Sequence, residues 1–359
     1  MARLVSSGSF GFNMDTFHVG DLLDTFFDPP TPTHLVLTSD ALHPVSNFND
    51  RVDLYGSGID VLTGGVLLGT ITRFELLRNF IGVPGDVRLQ ITNFSMSVQQ
   101  FAVWSVYDDN QGMFSTILSG ADTMLGSISG ADLLRGYDGD DTIAGYGGQD
   151  TIFGGLGADT IHGGSPTGGI VDANNYLRGD EGNDSVTGYD VFDDINGNMG
   201  NDTCYGGGGT DWVVGGKDND LLYGELPRPD PFANPGDDLV YGNLGDDTCY
   251  GGFGADIVRG GQGNDVLFGD QGRDFMSGDR GDDTVTGGAD ADVFHSFAGA
   301  GLDRVLDFNG GEGDRIQLDA GTTWTVRTAG ADTVIDMGNG DQMILVGVSG
   351  FQSAWITVL

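Results

Sequence analysis

A nine-residue period running from residue 117 to residue 295 constrains this chain more than any other feature. One stretch shows it: Gly251-Gly252-Phe253-Gly254-Ala255-Asp256-Ile257-Val258-Arg259 is followed by Gly260-Gly261-Gln262-Gly263-Asn264-Asp265-Val266-Leu267-Phe268. Each block reads glycine, usually glycine, any, glycine, any, aspartate, any, apolar, any. The sixth position holds Asp122, Asp132, Asp141, Asp150, Asp159, Asp184, Asp193, Asp202, Asp211, Asp220, Asp238, Asp247, Asp256, Asp265, Asp274, Asp283 and Asp292. Two residues after each aspartate stands an apolar side chain, from Met124, Leu134 and Ile143 through to Met276, Val285 and Phe294. The block 170–178 keeps the register with Asn175 in the aspartate's place and Leu177 in the apolar one. A disordered glycine-rich tract shows no such apolar phase.

The spacing has a physical reading. A glycine-rich turn of six residues needs positive φ or close backbone approach at several places, which glycine tolerates. The remaining any-apolar-any triplet suffices for one short strand with its middle side chain inward. Two blocks then make one coil, and coils stack about 4.8 Å apart. The expected fold is all-β, a parallel solenoid with its turns in a row along each edge. The aspartates should face one another across a coil, among exposed backbone carbonyls. Such crowded oxygens form a hard-cation site whose usual occupant is calcium. All the sixth-position aspartates are therefore candidate calcium ligands.

Charge points the same way. Asp and Glu number 53 against 15 Lys and Arg, a formal net charge of −38. Such a chain repels nucleic acid and anionic membranes, and repels itself when compact unless cations neutralise it. Its 64 glycines make ordering costly in entropy. Both features argue that a bound cation contributes to folding. Cys204 and Cys249 fall at inward apolar positions. They are expected several strands apart, too far for the Cα separation of under about 7 Å that a disulfide needs. No stretch has the roughly 18 apolar residues of a membrane span, and residues 1–20 lack the apolar core of a signal peptide.

The repeat resembles the RTX (repeat-in-toxin) nonapeptide. That resemblance implies a parallel β-roll, with calcium ions held between consecutive turns on each edge. Residues 296–359 resemble the region that follows the β-roll in serralysin-type secreted proteins. In that family an uncleaved C-terminal signal directs export through a type I secretion channel. The resemblance thus implies a secreted, extracellular protein with the type I secretion apparatus as a partner.

Three regions are expected: a small, mostly-β N-terminal domain over 1–116, the β-roll over 117–295, and a β-rich C-terminal cap over 296–359. In the first, Leu35-Val36-Leu37, Val52-Asp53-Leu54-Tyr55, the segment 65–71 and Val87-Arg88-Leu89-Gln90-Ile91 read as strands. The spacing of Val98, Phe101, Ala102, Ser105 and Val106 predicts a helix, with a capping box from Ser97 and Gln100. A second short helix is expected over 112–118; together they would cover the first coil's open edge. Two interruptions, 163–169 and 224–232, break the beat. The second holds Pro227, Pro229 and Pro231 and reads as a surface loop, or else as an irregular coil turn. Val191 replaces glycine at a fourth position and should distort its turn. Residues 303–308, 314–319 and 332–337 read as longer strands.

Catalytic motifs are missing from the sequence. His18, His34, His43, His162 and His295 form no HExxH pair. His162 and His295 sit at outward ninth positions and read as surface residues. The segment Gly126-Ser127-Ile128-Ser129-Gly130 has isoleucine where a nucleophile elbow needs serine. Paired acids such as Asp246-Asp247 recur in phase with the turns, which favours metal binding over acid–base chemistry. The reading is a secreted, non-enzymatic calcium-binding β-roll that folds on binding extracellular Ca2+. The alternative makes the roll the export and stability module of an adhesin, a surface-array protein or a small enzyme whose activity sits in residues 1–116.

Overall fold

The computed structural model describes the strands between residues 3 and 97, then residues 120–126, 130–166, 173–226 and 236–359. Two compact units result, Met1–Ala173 and Asn174–Leu359. Both contain a parallel β-roll, as the repeat predicts.

The roll follows from side-chain parity. In the block from Asp256, residues Asp256, Val258 and Gly260 are buried, while Ile257 and Arg259 are half-buried and Gln262 and Asn264 exposed. A strand alternates its faces, so every second residue points inward. The eighth-position side chains form the core: Leu177, Val186, Ile195, Cys204, Val213 and Leu222 are fully buried, and so are Val240, Cys249, Val258 and Leu267. Strands pair in parallel with the second strand along the chain, so Val258 lies opposite Met276 and Leu267 opposite Val285.

The strands are longer than a triplet. Ile257–Gln262 and Val266–Gly272 leave only Gly263, Asn264 and Asp265 between them. Second-position residues still pair with the next coil, as Asn243 does with Gly261. The backbone bends there through positive φ, at Asn243 (78°), Gly261 (118°) and Asp279 (69°), and again at fourth-position Gly263 (147°) and Gly281 (147°). Val191 does not share that left-handed conformation, and neighbouring Tyr189 opens to φ 109°. The turns are stitched by side chains at the fifth position of one edge. Asn219 N–H donates to Asn201 Oδ1 at 2.9 Å, Asp246 N–H to Asn219 Oδ1 at 3.0 Å and Asn264 N–H to Asp246 Oδ1 at 2.7 Å. On the outer face Tyr205, Tyr223, Tyr250 and Phe268 stack with centroids 4.7–4.9 Å apart, at the strand spacing.

In the first unit Phe26–Phe27, His34–Ser39, Phe48–Val61, Leu67–Phe80 and Val87–Ser97 pair antiparallel in sequence order, and Arg3–Ser7 joins Val87–Ser97. The strands expected there fall within these elements, except that 65–66 lie outside the described residues. Arg3–Ser7 also pairs in parallel with Thr123–Leu125, placing Leu4 opposite Met124. A strand therefore covers that first rung, the role expected of helices. The helical segments expected over 97–106 and 112–118 lie outside the described residues, except Ser97, which ends a strand.

In the second unit the proline-bearing insertion adds no rung. Trp212 pairs with Leu239 and Leu221 with Thr248, each 27 residues on instead of 18, with the register intact. Residues 227–235, where a surface loop or an irregular coil turn is expected, lie outside the described set. Cys204 and Cys249 are free and buried. They flank Leu222 in one ladder, so a single strand separates them rather than several.

The ladders continue past residue 295. Leu302–Val305 and Arg315–Leu318 are four-residue rungs, shorter than the strands expected at 303–308 and 314–319. They pair in parallel with the preceding coils. Asp332–Gly338 is a long strand, as expected, between Thr325–Ala329 and Asp341–Leu345 in an antiparallel sheet. Phe294, Phe308 and Trp355 make a chain of ring contacts at this end, 5.9 and 5.3 Å between centroids.

Candidate metal centre

The sixth-position aspartates do not project from the edges. All are 0–3 % exposed, because the aspartate lies two residues before the core side chain and shares its inward parity. They face one another across one full coil, as expected. Each meets the aspartate one full coil away, on its own edge, because parallel stacking superposes equivalent turns. Asp247 N–H donates to Asp265 Oδ1 at 2.8 Å, and Asp265 N–H to Asp283 Oδ1 at 2.8 Å.

Every predicted site residue belongs to such a series. In the first unit Asp122, Asp141 and Asp159 are linked on one edge, and Asp132 and Asp150 on the other. In the second unit one edge runs Asp184, Asp202, Asp220, Asp247, Asp265, Asp283. The other runs Asn175, Asp193, Asp211, Asp238, Asp256, Asp274, Asp292. Two acids outside the nine-residue beat extend these edges: Asp314 accepts from Asp292 N–H at 3.1 Å, and buried Asp303 accepts from the backbone of Asp283. The signal was present, since Asp303-Arg304-Val305 and Asp314-Arg315-Ile316 keep the aspartate–any–apolar triplet. Longer intervening segments obscured it.

Oδ1 is thus used by the fold. Oδ2 of Asp141, Asp202, Asp211, Asp220, Asp238, Asp247, Asp256, Asp265, Asp274 and Asp283 is buried without a hydrogen-bond partner. A buried carboxylate oxygen in that state is costly unless the group is protonated or meets a cation. Burial pushes Asp141, Asp220 and Asp238 up to about 8, and Asp202, Asp211, Asp256, Asp265 and Asp274 up to about 7. The backbone N–H bond to each pulls the other way but is the smaller effect.

The position of Oδ2 explains the first-position glycine. A Cβ on Gly251 would lie 2.6 Å from Asp256 Oδ2 and 2.9 Å from the Gly269 carbonyl oxygen. Carboxylate and carbonyl oxygens therefore converge over a glycine that must lack a side chain. Gly251→Ala should lower stability by about 1–3 kcal/mol, the usual cost of overpacking. Gly120, where a Cβ would meet none of the described residues within 4 Å, should accept alanine. Urea unfolding in saturating calcium reads the difference, and equal midpoints for the two variants would refute the close-approach argument.

These donors fit a hard cation. They are oxygens only, mixed carboxylate and carbonyl, as calcium prefers. Among the described residues no three acidic, imidazole or thiol side chains close on one point. A cation here must therefore take backbone carbonyls as well. When bound, calcium would neutralise the Oδ2 row.

His295 departs from expectation. Its side chain is 11 % exposed and stands between Asp319 (Nε2 to Oδ1, 3.1 Å) and Ser277 (Nδ1 to Oγ, 3.0 Å). This serine is fully buried and its hydroxyl donates to Asp279 Oδ1 at 2.7 Å, so the group offers no accessible nucleophile. His162 is also partly buried, and burial lowers its pKa.

The family model of the RTX calcium-binding nonapeptide repeat matches residues 127–161, 171–204, 178–213, 205–226, 232–258, 259–294 and 268–303. No curated protein matches the chain significantly. Among the described residues no helix is long and apolar enough to cross a membrane. With its repeats matched and its parallel roll in place, the chain is a carrier of RTX calcium-binding nonapeptide repeats, which bind several calcium ions in each stretch.

Proposed function

We propose that this is a secreted, non-enzymatic protein whose β-roll folds on binding extracellular calcium, with the sixth-position aspartates as the side-chain ligands. The observation that carries the reading is the row of buried, unpartnered Oδ2 atoms along each edge. A fold that strands so many carboxylate oxygens is stable only where a cation is abundant, and calcium is abundant outside cells. Within a cell the same residues would keep the chain extended, a form suited to passage through a secretion channel. The resemblance of residues 296–359 to serralysin-type C-terminal regions supports export through a type I apparatus.

One experiment tests both parts. The chain is expressed in a Gram-negative host with a type I channel, intact or without residues 310–359. The intact chain should reach the medium and become protease-resistant only when the medium holds millimolar calcium. The truncated chain should stay inside. Undiminished export of the truncated form sinks the secretion reading; full protease resistance in calcium-free medium sinks folding on calcium.

A further inference from the structure

Glu225 breaks the pattern of its position. Second-position residues of the roll such as Asn198, Gly216, Asn243 and Asp270 have positive φ, whereas Glu225 does not. Its side chain instead lies over the next coil. A Cβ on Gly252 would meet Glu225 Cγ at 3.1 Å and Cδ at 3.3 Å, so that glycine makes room for it. The backbone N–H of Phe253 donates to the carboxylate. The remaining oxygen, Oε1, is buried with no partner.

The surroundings are carboxylates of the same kind. Glu225 is close enough in charge terms to disfavour ionisation of Asp211, Asp238 and Asp256. Those three are 0–1 % exposed, and each has an unpartnered Oδ2. Gly224, next to Glu225, sits against Asp238 Oδ2 and the Gly251 carbonyl oxygen. Glu225 thus lies between the turn that ends at Asp238 and the turn that ends at Asp256. A further, half-buried acid there worsens repulsion in the metal-free roll, and the charge that acts on it comes from another acid, Asp270, rather than from a base.

We propose that Glu225 is an additional calcium ligand, giving the site between the Asp238 and Asp256 turns a second side-chain carboxylate and making it the first site of the roll to fill. The inference rests on the calcium-binding reading of the repeats. Calcium affinity rises with the number of charged ligands in a site, and among the described residues no other acid outside the aspartate–any–apolar triplets has a buried, unpartnered side-chain oxygen. The site adjoins the proline-bearing insertion, where two successive rungs are 27 residues apart in the chain. A tight site there would fasten this long chain closure.

The test is a chelator-competition calcium titration of the full chain, wild type against Glu225→Gln and Glu225→Asp. Glutamine keeps the volume and removes the charge; aspartate keeps the charge and withdraws it by one methylene. Wild type should show one step at least about tenfold tighter than the rest. Both variants should lose that step while their circular dichroism at saturating calcium matches wild type. Retention of the tight step in Glu225→Gln overturns the proposal. Retention in Glu225→Asp alone also overturns it, because the effect would then be one of general charge. No calcium uptake by the wild type would instead overturn the calcium reading itself, so the two failures are distinguishable.

Discussion

Chelation of calcium at pH 7.5 is expected to remove most of the far-UV β signal of this chain, and amide exchange should place the loss in the roll. The magnitudes decide it. A carboxylate raised from about 4 to about 7 costs about 4 kcal/mol when ionised in the fold. Asp202, Asp211, Asp256, Asp265 and Asp274 are raised to about 7 by burial, and Asp220 and Asp238 to about 8. The inward apolar residue of the same block returns only about 1.5–3 kcal/mol. Each of these blocks is therefore in deficit before the entropy of its glycines is counted. A domain's net stability is about 5–15 kcal/mol, so a few such blocks are enough to unfold it. Bound calcium should remove the cost, and its binding energy would then become folding energy. The measurement is circular dichroism through a calcium titration after chelation. A chelated chain that keeps its full β signal, with slow amide exchange at Asp265 and its neighbours, would show that the carboxylate rows do not control folding.

Much of this architecture is legible in the nine-residue beat, because a solenoid repeats one local solution. Apolar phase alone locates Val258, Leu267 and Met276 in the core. The position of the aspartates is harder to read. Glycine and aspartate together suggest an exposed turn, and that composition masks the parity beneath it. The aspartate–any–apolar triplet is itself a period-two signal, and it places Asp256 on the face of Val258. Asp303 and Asp314 escape the nine-residue beat because they keep only the triplet. Glu225 cannot be found from sequence: its role depends on a φ value and on the space left by Gly252 in the next coil. His295 looks like a surface residue in sequence, but outward residues of a roll are covered wherever the cap folds back, here by Asp319.

Acidification is expected to restore part of the β signal to the metal-free chain. The sign follows from the direction of the shifts. Burial raises the folded-state pKa of these aspartates above the unfolded value near 4, so the folded roll holds protons that the unfolded chain releases. Metal-free stability must then fall as pH rises from about 4 to about 8, and be recovered on the way down. The calcium-bound roll should show the reverse, since protons compete with the cation for the same oxygens. General repulsion from a net charge of −38 also weakens on acidification, and salt separates the two causes. Repulsion between exposed charges is screened at 1 M salt, where the Debye length is about 3 Å. The cost of a buried carboxylate is not. Circular dichroism of chelated protein should therefore rise between pH 7.5 and pH 5, above the isoelectric point near 4.1, and should stay low in 1 M NaCl at pH 7.5. Full recovery by salt alone would assign the effect to surface charge and remove the buried Oδ2 rows from the explanation.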